Sequence, residues 1–275
     1  MKNLNTRSLI SLLKKTHIVE WEATPSSVDA ISWLDGLLQF LFPSNHLPKS
    51  TSYEGILKKN QIDLENILLS YLEPSGIDIE GVVHDFYSSL EGIYQNLRLD
   101  ANKINEYDPA SHSVNEVIVS YPGFYAIAVY RIANHLNKLG IPVLPRILCE
   151  YAHGKTGVDI HPNAEIGVPF MIDHGTGIVI GATSIIGKNV SIYQGVTLGA
   201  LQVAKSLAET KRHPTVEDNV IIYARSTILG GDTVIGKNSV IGGSVFLTKS
   251  VEPNSQVFNT HQLRIVVKED APTLK

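Results

Sequence analysis

Between Val158 and Gly199 apolar residues recur every six positions: Ile160, Ile166, Ile172, Ile178, Val190 and Val196, interrupted only by Ser184. A second register two residues on holds Ile180, Ile186, Ile192 and Leu198. A period of six matches neither the 3.6-residue turn of an amphipathic helix nor the two-residue alternation of a half-buried strand. It matches a parallel β-helix of hexapeptide turns, in which each six residues give one short flat strand and one corner. A sandwich of short strands would show alternation with turns about every eight to twelve residues, and that pattern is absent.

The period resumes at Val216, Ile222, Ile228, Val234, Val240 and Phe246. Val196 and Val216 stand twenty residues apart, two more than three hexads, so the chain is predicted to loop out over 200–213. Near-duplicates IIGKN at 185–189 and VIGKN at 234–238 support the repeat, and Gly or Asn at corners supplies backbone conformations that branched residues resist.

The first 140 residues read as helical. Leu9, Leu12, Leu13 and Ile18 outline a first amphipathic helix, and Ser27 is the expected N-cap of a second, through Ile31, Leu34, Leu37 and Leu38 to Pro43. Helical spacing recurs over 56–72 and 79–97, separated by a turn at Glu73, Pro74, Ser75 and Gly76. Tyr125, Ala128, Val129, Ile132, Leu136 and Leu139 share one face of a helix over 121–139, ended by Gly140 and Pro142. A shorter helix from Pro145 to about His153 leads into the repeat. The expected organisation is α+β: a helical domain over 1–140 suited to packing and oligomerisation, a connecting helix over 141–157, a β-helix over 158–258 with its protruding loop, and a tail over 259–275.

A length of 275 residues accommodates two domains, and 43% hydrophobic with 18% charged residues is ordinary for a soluble globular protein. A formal charge of −4 without a Lys/Arg-rich run gives no footprint for nucleic acid. Cys149 is the only cysteine, which excludes an internal disulfide and a cysteine zinc cluster. The opening MKNLNTRSLISLLKKTHIVEWE lacks the apolar core of a signal peptide, and no apolar run is long enough to span a bilayer, so a cytoplasmic location is the expectation.

Polar residues intrude on the repeat at Val158-Asp159-Ile160-His161-Pro162, at Asp173-His174-Gly175-Thr176-Gly177 and at Lys211-Arg212-His213-Pro214. With eighteen-residue coils, Asp159 and His174 fall on adjacent coils, and a carboxylate beside an imidazole suits a general base acting on a hydroxyl. The same pair equally suits a corner whose backbone groups need polar partners. Arg212 offers a forked donor matched to a carboxylate, or is one charge on a solvated loop. Asp108, in Tyr107-Asp108-Pro109-Ala110, reads on its own as a turn.

In order, DPA (108–110), YPGFYAIAVYRIANHL (121–136), VDIHPNAEIG (158–167), DHGTGIVIG (173–181), VTLG (196–199), RHP (212–214) and AxxxILGG (224–231) closely resemble serine O-acetyltransferase, the first enzyme of cysteine biosynthesis. The resemblance implies a left-handed β-helix, with acetyl-CoA as co-substrate, L-serine as acceptor and no permanently bound cofactor or metal. It implies His174 as general base oriented by Asp159. It puts Asp108 and Asp173 on the serine ammonium, and Arg212 and His213 on its carboxylate. Gly199, Ala200, Ala224, Gly243 and Arg264 would face CoA. It further implies homotrimers with sites between neighbours, pairing of two trimers into hexamers, and feedback inhibition by L-cysteine.

The chain departs from the family in three places. Residues 200–210 replace the usual Gly-rich GTGK segment. The GxPAR motif is reduced to NTHQLR at 259–264, which keeps Arg264. The chain ends on Lys275 instead of isoleucine, so no complex with O-acetylserine sulfhydrylase is expected. Two other readings compete. Gly231 to Gly236 with Lys237 has P-loop spacing, but Asn238 stands at the hydroxyl position. A zinc hydratase of the γ-carbonic anhydrase kind could draw on His161, His174 and His213, though no H-x4-H pair exists and that family lacks a large helical domain.

Overall fold

The computed structural model describes residues 6–20, 24–43, 52–201 and 210–260. Eight α-helices come first: α1 (Arg7–Glu20), α2 (Ser27–Leu41), α3 (Tyr53–Leu72), α4 (Ile79–Ser88), α5 (Leu90–Tyr107), α6 (Val114–Ser120), α7 (Pro122–Lys138) and α8 (Leu144–Thr156). The cap of α2 is Ser26, one residue before the expected Ser27, because its hydroxyl accepts the N–H of Asp29. The helix expected over 79–97 is two helices that meet at Ser89. The seven-residue α6, capped by Ser113, has too short an apolar period to show in the sequence.

The repeat then forms a three-faced parallel solenoid of about five coils. Face one stacks β1 (Asp159–Ile160), β4 (Val179–Ile180), β7 (Thr197–Gly199), β10 (Thr227–Leu229) and β13 (Phe246–Leu247). Face two stacks β2 (Glu165–Ile166), β5 (Ile185–Ile186), β8 (Thr215–Val216) and β11 (Val234–Ile235). Face three stacks β3 (Phe170–Asp173), β6 (Val190–Tyr193), β9 (Ile221–Ile222), β12 (Val240–Ile241) and β14 (Gln256–Val257).

Strand register corrects the hexad reading in three ways. Ile160 pairs with Ile180 and Ile172 with Ile192, so the first coil has twenty residues and the extra two fall in the corner at Asp173–Gly177. Ile180 pairs with Leu198 at the regular eighteen. Ile186 then pairs with Val216 thirty residues on, an excursion twelve longer than a regular coil. The twenty-residue gap understated it, because Val196 and Val216 occupy different inward slots. Finally, Ile228 pairs with Leu247 and Val216 with Ile235, nineteen apart, so one residue is added at Gly230–Asp232. A one-residue slip exchanges the faces of a strand. Ile235 and Ile241 are therefore the buried residues, whereas Val234 and Val240 are only half-buried and Phe246 is 65% exposed.

Asn189, Asn219, Asn238 and Asn254, each with φ near +60°, turn the corner after face two, and their side-chain amides hydrogen-bond in a chain along the axis. Asn tolerates this left-handed conformation better than other residues with a Cβ, which explains the repeated GKN. Lys103 of α5 ends the ladder by donating to Asn189 Oδ1 at 2.6 Å.

Helix α7 lies across the open end of the solenoid. Tyr130 donates to Ala164 O, Asn134 to Pro162 O and Ala164 O, and Arg131 to Ile166 O and Gly167 O. These donors satisfy first-coil carbonyls that no preceding coil can pair. Arg131 also forks onto Asp100 of α5, at 2.5 and 2.8 Å, and the same carboxylate accepts the N–H of Phe170. One fully buried carboxylate thereby ties α5, α7 and β3 together. No helix among the described residues is long and apolar enough to cross a membrane.

Candidate active site

The three tied elements converge on the corner after face three. Strand β3 ends at Asp173, and the two added residues throw His174 outward with φ 56° and its side chain 71% exposed. His174 belongs to this corner insertion and stands outside the inward registers. Its Nε2 lies 3.8 Å from Asp173 Oδ2. Gly123 permits the approach of α7, because a Cβ there would run into the Ile172 carbonyl.

Helix α5 ends at Asp108, whose Oδ2 accepts the Tyr121 hydroxyl at 2.6 Å and whose Oδ1 accepts the Ala110 N–H at 2.8 Å. The Tyr121 bond is the main cause, and Ala110 a second, of a carboxyl held below the usual aspartate range; His174 contributes a weaker attraction. Tyr193 pairs in register with Asp173 and stacks on Tyr223, ring centroids 5.0 Å apart. Burial, then the Asp173 carboxylate, raises the Tyr193 phenol, with smaller contributions from Tyr223 and Asp108. This corner thus joins two carboxylates, an imidazole and an aromatic wall. Tyr121, Tyr193 and Tyr223 were not singled out from sequence; Tyr121 stood inside a quoted motif, but its partner is visible only in three dimensions.

Arg212 and His213 lie at the corner after face one. The loop returns there as Lys211-Arg212-His213, clamped on Thr183. Thr183 Oγ1 accepts the N–H groups of Arg212 and His213 at 2.9 and 3.0 Å, which leaves its own hydrogen for His213 Nδ1 at 2.9 Å. The Thr183 N–H also points at Nδ1, at 3.1 Å, so the ring's proton resides on Nε2. Lys211 donates to the carbonyls of Thr183, His213 and Pro214. His213 lies flat on Gly181, and Gly231 leaves room for the Lys211–Arg212 backbone. Burial is the main cause, ahead of Arg212 and Lys211, that lowers the His213 pKa to about 4.

Asp159 lies on face one between the two corners. It pairs with Val179, and among the described residues no hydrogen bond or ion pair joins it to His174. Its carboxylate instead groups with Glu150 and His153, one ligand atom of each within 4.8 Å of the others. Ala224 and Gly243 stack at the His174 corner, the Ala224 carbonyl 3.3 Å from a Cβ placed on Gly243. Gly199 and Ala200 open the loop at the Arg212 corner. Arg264 and the chain end at Lys275 lie outside the described residues. The three histidines of the hydratase reading do not converge within the chain: His161 and His213 share one corner and His174 sits at another, across a face one strand only four to five residues wide, roughly 15 Å at ~3.3 Å per residue.

No family model matches the chain. A plasmid-encoded serine acetyltransferase of Synechococcus elongatus is 47% identical over 175 residues, 62% of this chain and 54% of that protein. The serine acetyltransferase of Bacillus pumilus is 42% identical over 164 residues, 60% of this chain and 73% of that protein. Among solved structures, serine acetyltransferase 1 of Entamoeba histolytica in complex with L-cysteine matches with a TM-score of 0.76 at 32% identity, over 92% of this chain and 97% of that one. The Neisseria gonorrhoeae serine acetyltransferase in complex with serine matches with a TM-score of 0.61 at 28% identity, over 92% and 88% of the two chains. The architecture is that of these enzymes, a helical N-terminal region followed by a left-handed β-helix, and the hand is the exception to ordinary right-handed parallel crossovers.

Proposed function

The chain belongs to the serine acetyltransferase family, and from that premise we propose that it transfers the acetyl group of acetyl-CoA to the hydroxyl of L-serine. The single observation that carries the reading is the twenty-residue first coil, whose two extra residues expose His174 beside Asp173 and within electrostatic reach of Asp108. Two carboxylates beside an exposed imidazole suit an acceptor that carries a cation next to its nucleophile.

Asp108 and Asp173 hold the serine ammonium. Tyr121 keeps Asp108 ionised by donating to it, and the carboxylate so fixed cannot wander toward His174. His174 takes the hydroxyl proton as the serine oxygen bonds to the thioester carbonyl carbon. When the tetrahedral carbon releases sulfur, the imidazolium returns that proton to the CoA thiolate, leaving O-acetylserine and free CoA with no covalent enzyme intermediate. Asp159, on the strand bordering this corner, orients the imidazole. Gly199, Ala200, Ala224, Gly243 and Arg264 are the residues we assign to CoA binding.

Arg212 and His213, which take the serine carboxylate, sit one face away from His174 within a chain. A neighbouring copy in a cyclic assembly supplies them, so the site is composite and the working unit is a trimer or a pair of trimers. The relatives crystallised with serine and with cysteine support serine as acceptor and cysteine as an inhibitor. A cytoplasmic location completes the proposal.

The test is initial-rate thiol release from acetyl-CoA with serine, threonine, homoserine or a galactoside. Release with serine alone is expected. Release with none of them would overturn the assignment.

A further inference from the structure

His161 is an imidazole at the Arg212 corner to which the reaction above gives no task. It stands at the end of β1, directly below Gly181 and Thr183 in the next coil, and lines a cavity of about 540 Å³ with Thr183, Lys211 and Arg212. Its Nδ1 accepts the Asn163 N–H at 3.1 Å, so the neutral ring carries its proton on Nε2. His213, in the same corner, has the same tautomer for the same reason, a backbone N–H directed at Nδ1. Two imidazoles with their Nδ1 atoms already occupied thus present donors beside a guanidinium.

The charges around them leave this set positive. Burial first, then Arg146, Arg212 and His213, lower the His161 pKa to about 4, while Glu150 opposes them. Glu150 is itself ion-paired with Arg146. Glu165 lines the same cavity and attracts Lys211, whose ammonium is already engaged by three carbonyls. An anion with several acceptor lone pairs is the natural complement of fixed N–H donors around an arginine fork.

We infer that His161 is a third donor to the carboxylate of the amino-acid acceptor, which completes a cradle with Arg212 and His213. The inference rests on the acetyltransferase reading and deepens it: recognition of the acid end would involve two coils of the solenoid as well as the returning loop. The competing role is purely local, with Nδ1 doing no more than closing the Pro162–Asn163 turn.

His161→Asn separates the two roles. An asparagine Oδ1 accepts the N–H two residues on, as in an Asx-turn, but removes the ring Nε2–H. Thiol-release kinetics and melting are measured on the full chain for wild type, His161→Asn and His161→Ala. Loss of one hydrogen bond to a charged group predicts a serine KM raised roughly ten- to a hundredfold in both variants. The acetyl-CoA KM and the melting temperature of His161→Asn are expected to stay at wild-type values. An unchanged serine KM in His161→Asn, or serine and acetyl-CoA KM values that rise together, would overturn the inference. A wild-type chain that releases no thiol with serine would overturn the parent reading instead.

Discussion

Gly181→Ala should disable the Arg212 corner without removing a polar atom. A Cβ built at Gly181 comes within 2.7 Å of His213 Cε1 and closer still to Cδ2 and Nε2, where an ordinary contact begins at 3.4 Å. The imidazole must therefore retreat by more than ~0.7 Å, since contact repulsion rises steeply at such separations. Gly181 is not among the residues with positive φ, so its backbone accepts alanine and the ring bears the whole effect. Retreat stretches the two Nδ1 hydrogen bonds to Thr183, now 3.1 and 2.9 Å. At ~0.5–1.5 kcal/mol each, their loss costs about 1–3 kcal/mol of stability and frees the tautomer. The assay is a double-mutant cycle in denaturant, with serine KM read alongside. In a His213→Ala background the added methyl meets no ring, so the cost of Gly181→Ala should fall by at least ~1 kcal/mol. Equal destabilisation in both backgrounds would refute the contact as the cause.

Other expectations follow from the same geometry. His174→Ala should lower turnover by ~10² to 10⁴ while leaving the fold intact, because the side chain is 71% exposed; an unchanged rate at saturating serine would remove it as the base. Arg131→Met strands the fully buried Asp100 carboxylate and should cost ~3–5 kcal/mol in denaturant unfolding, whereas an exposed ion pair would cost under ~1 kcal/mol. His161 and His213 have folded pKa values near 4, below the reference 6.5, so the unfolded chain binds more protons between those limits. Stability should fall as pH drops from ~6.5 toward ~4, and His213→Asn should flatten that fall in melting curves.

The hexad period made the solenoid legible because inward positions of a β-helix must be apolar whatever else the chain does. The phase of the repeat was not legible where two apolar residues adjoin. Val234-Ile235 and Val240-Ile241 satisfy either register, and only pairing with Val216 and Ile222 shows that the second of each pair turns inward. The same ambiguity hid the insertion at Asp173–Gly177, which lifts His174 out of the inward registers. Asp173 and His174 were found as polar breaks in a pattern, whereas Asp108 read as a turn and entered the site only through the family resemblance. Tyr121 and Thr183 were missed because their importance lies in tertiary hydrogen bonds, which leave no period in the sequence. The split of the site between two corners is likewise a matter of which face each strand occupies, and spacing alone does not reveal it.

The composite site is tested most directly by mixing two crippled chains. His174→Ala and Arg212→Ala protomers, unfolded and reassembled together, are assayed for thiol release at serine well below saturation. If each site takes His174 from one copy and Arg212 from the next, random mixing restores about a quarter of wild-type activity, from sites that inherit both intact halves. If the mixture is no more active than the two variants assembled separately, each site lies within one chain and the account is wrong.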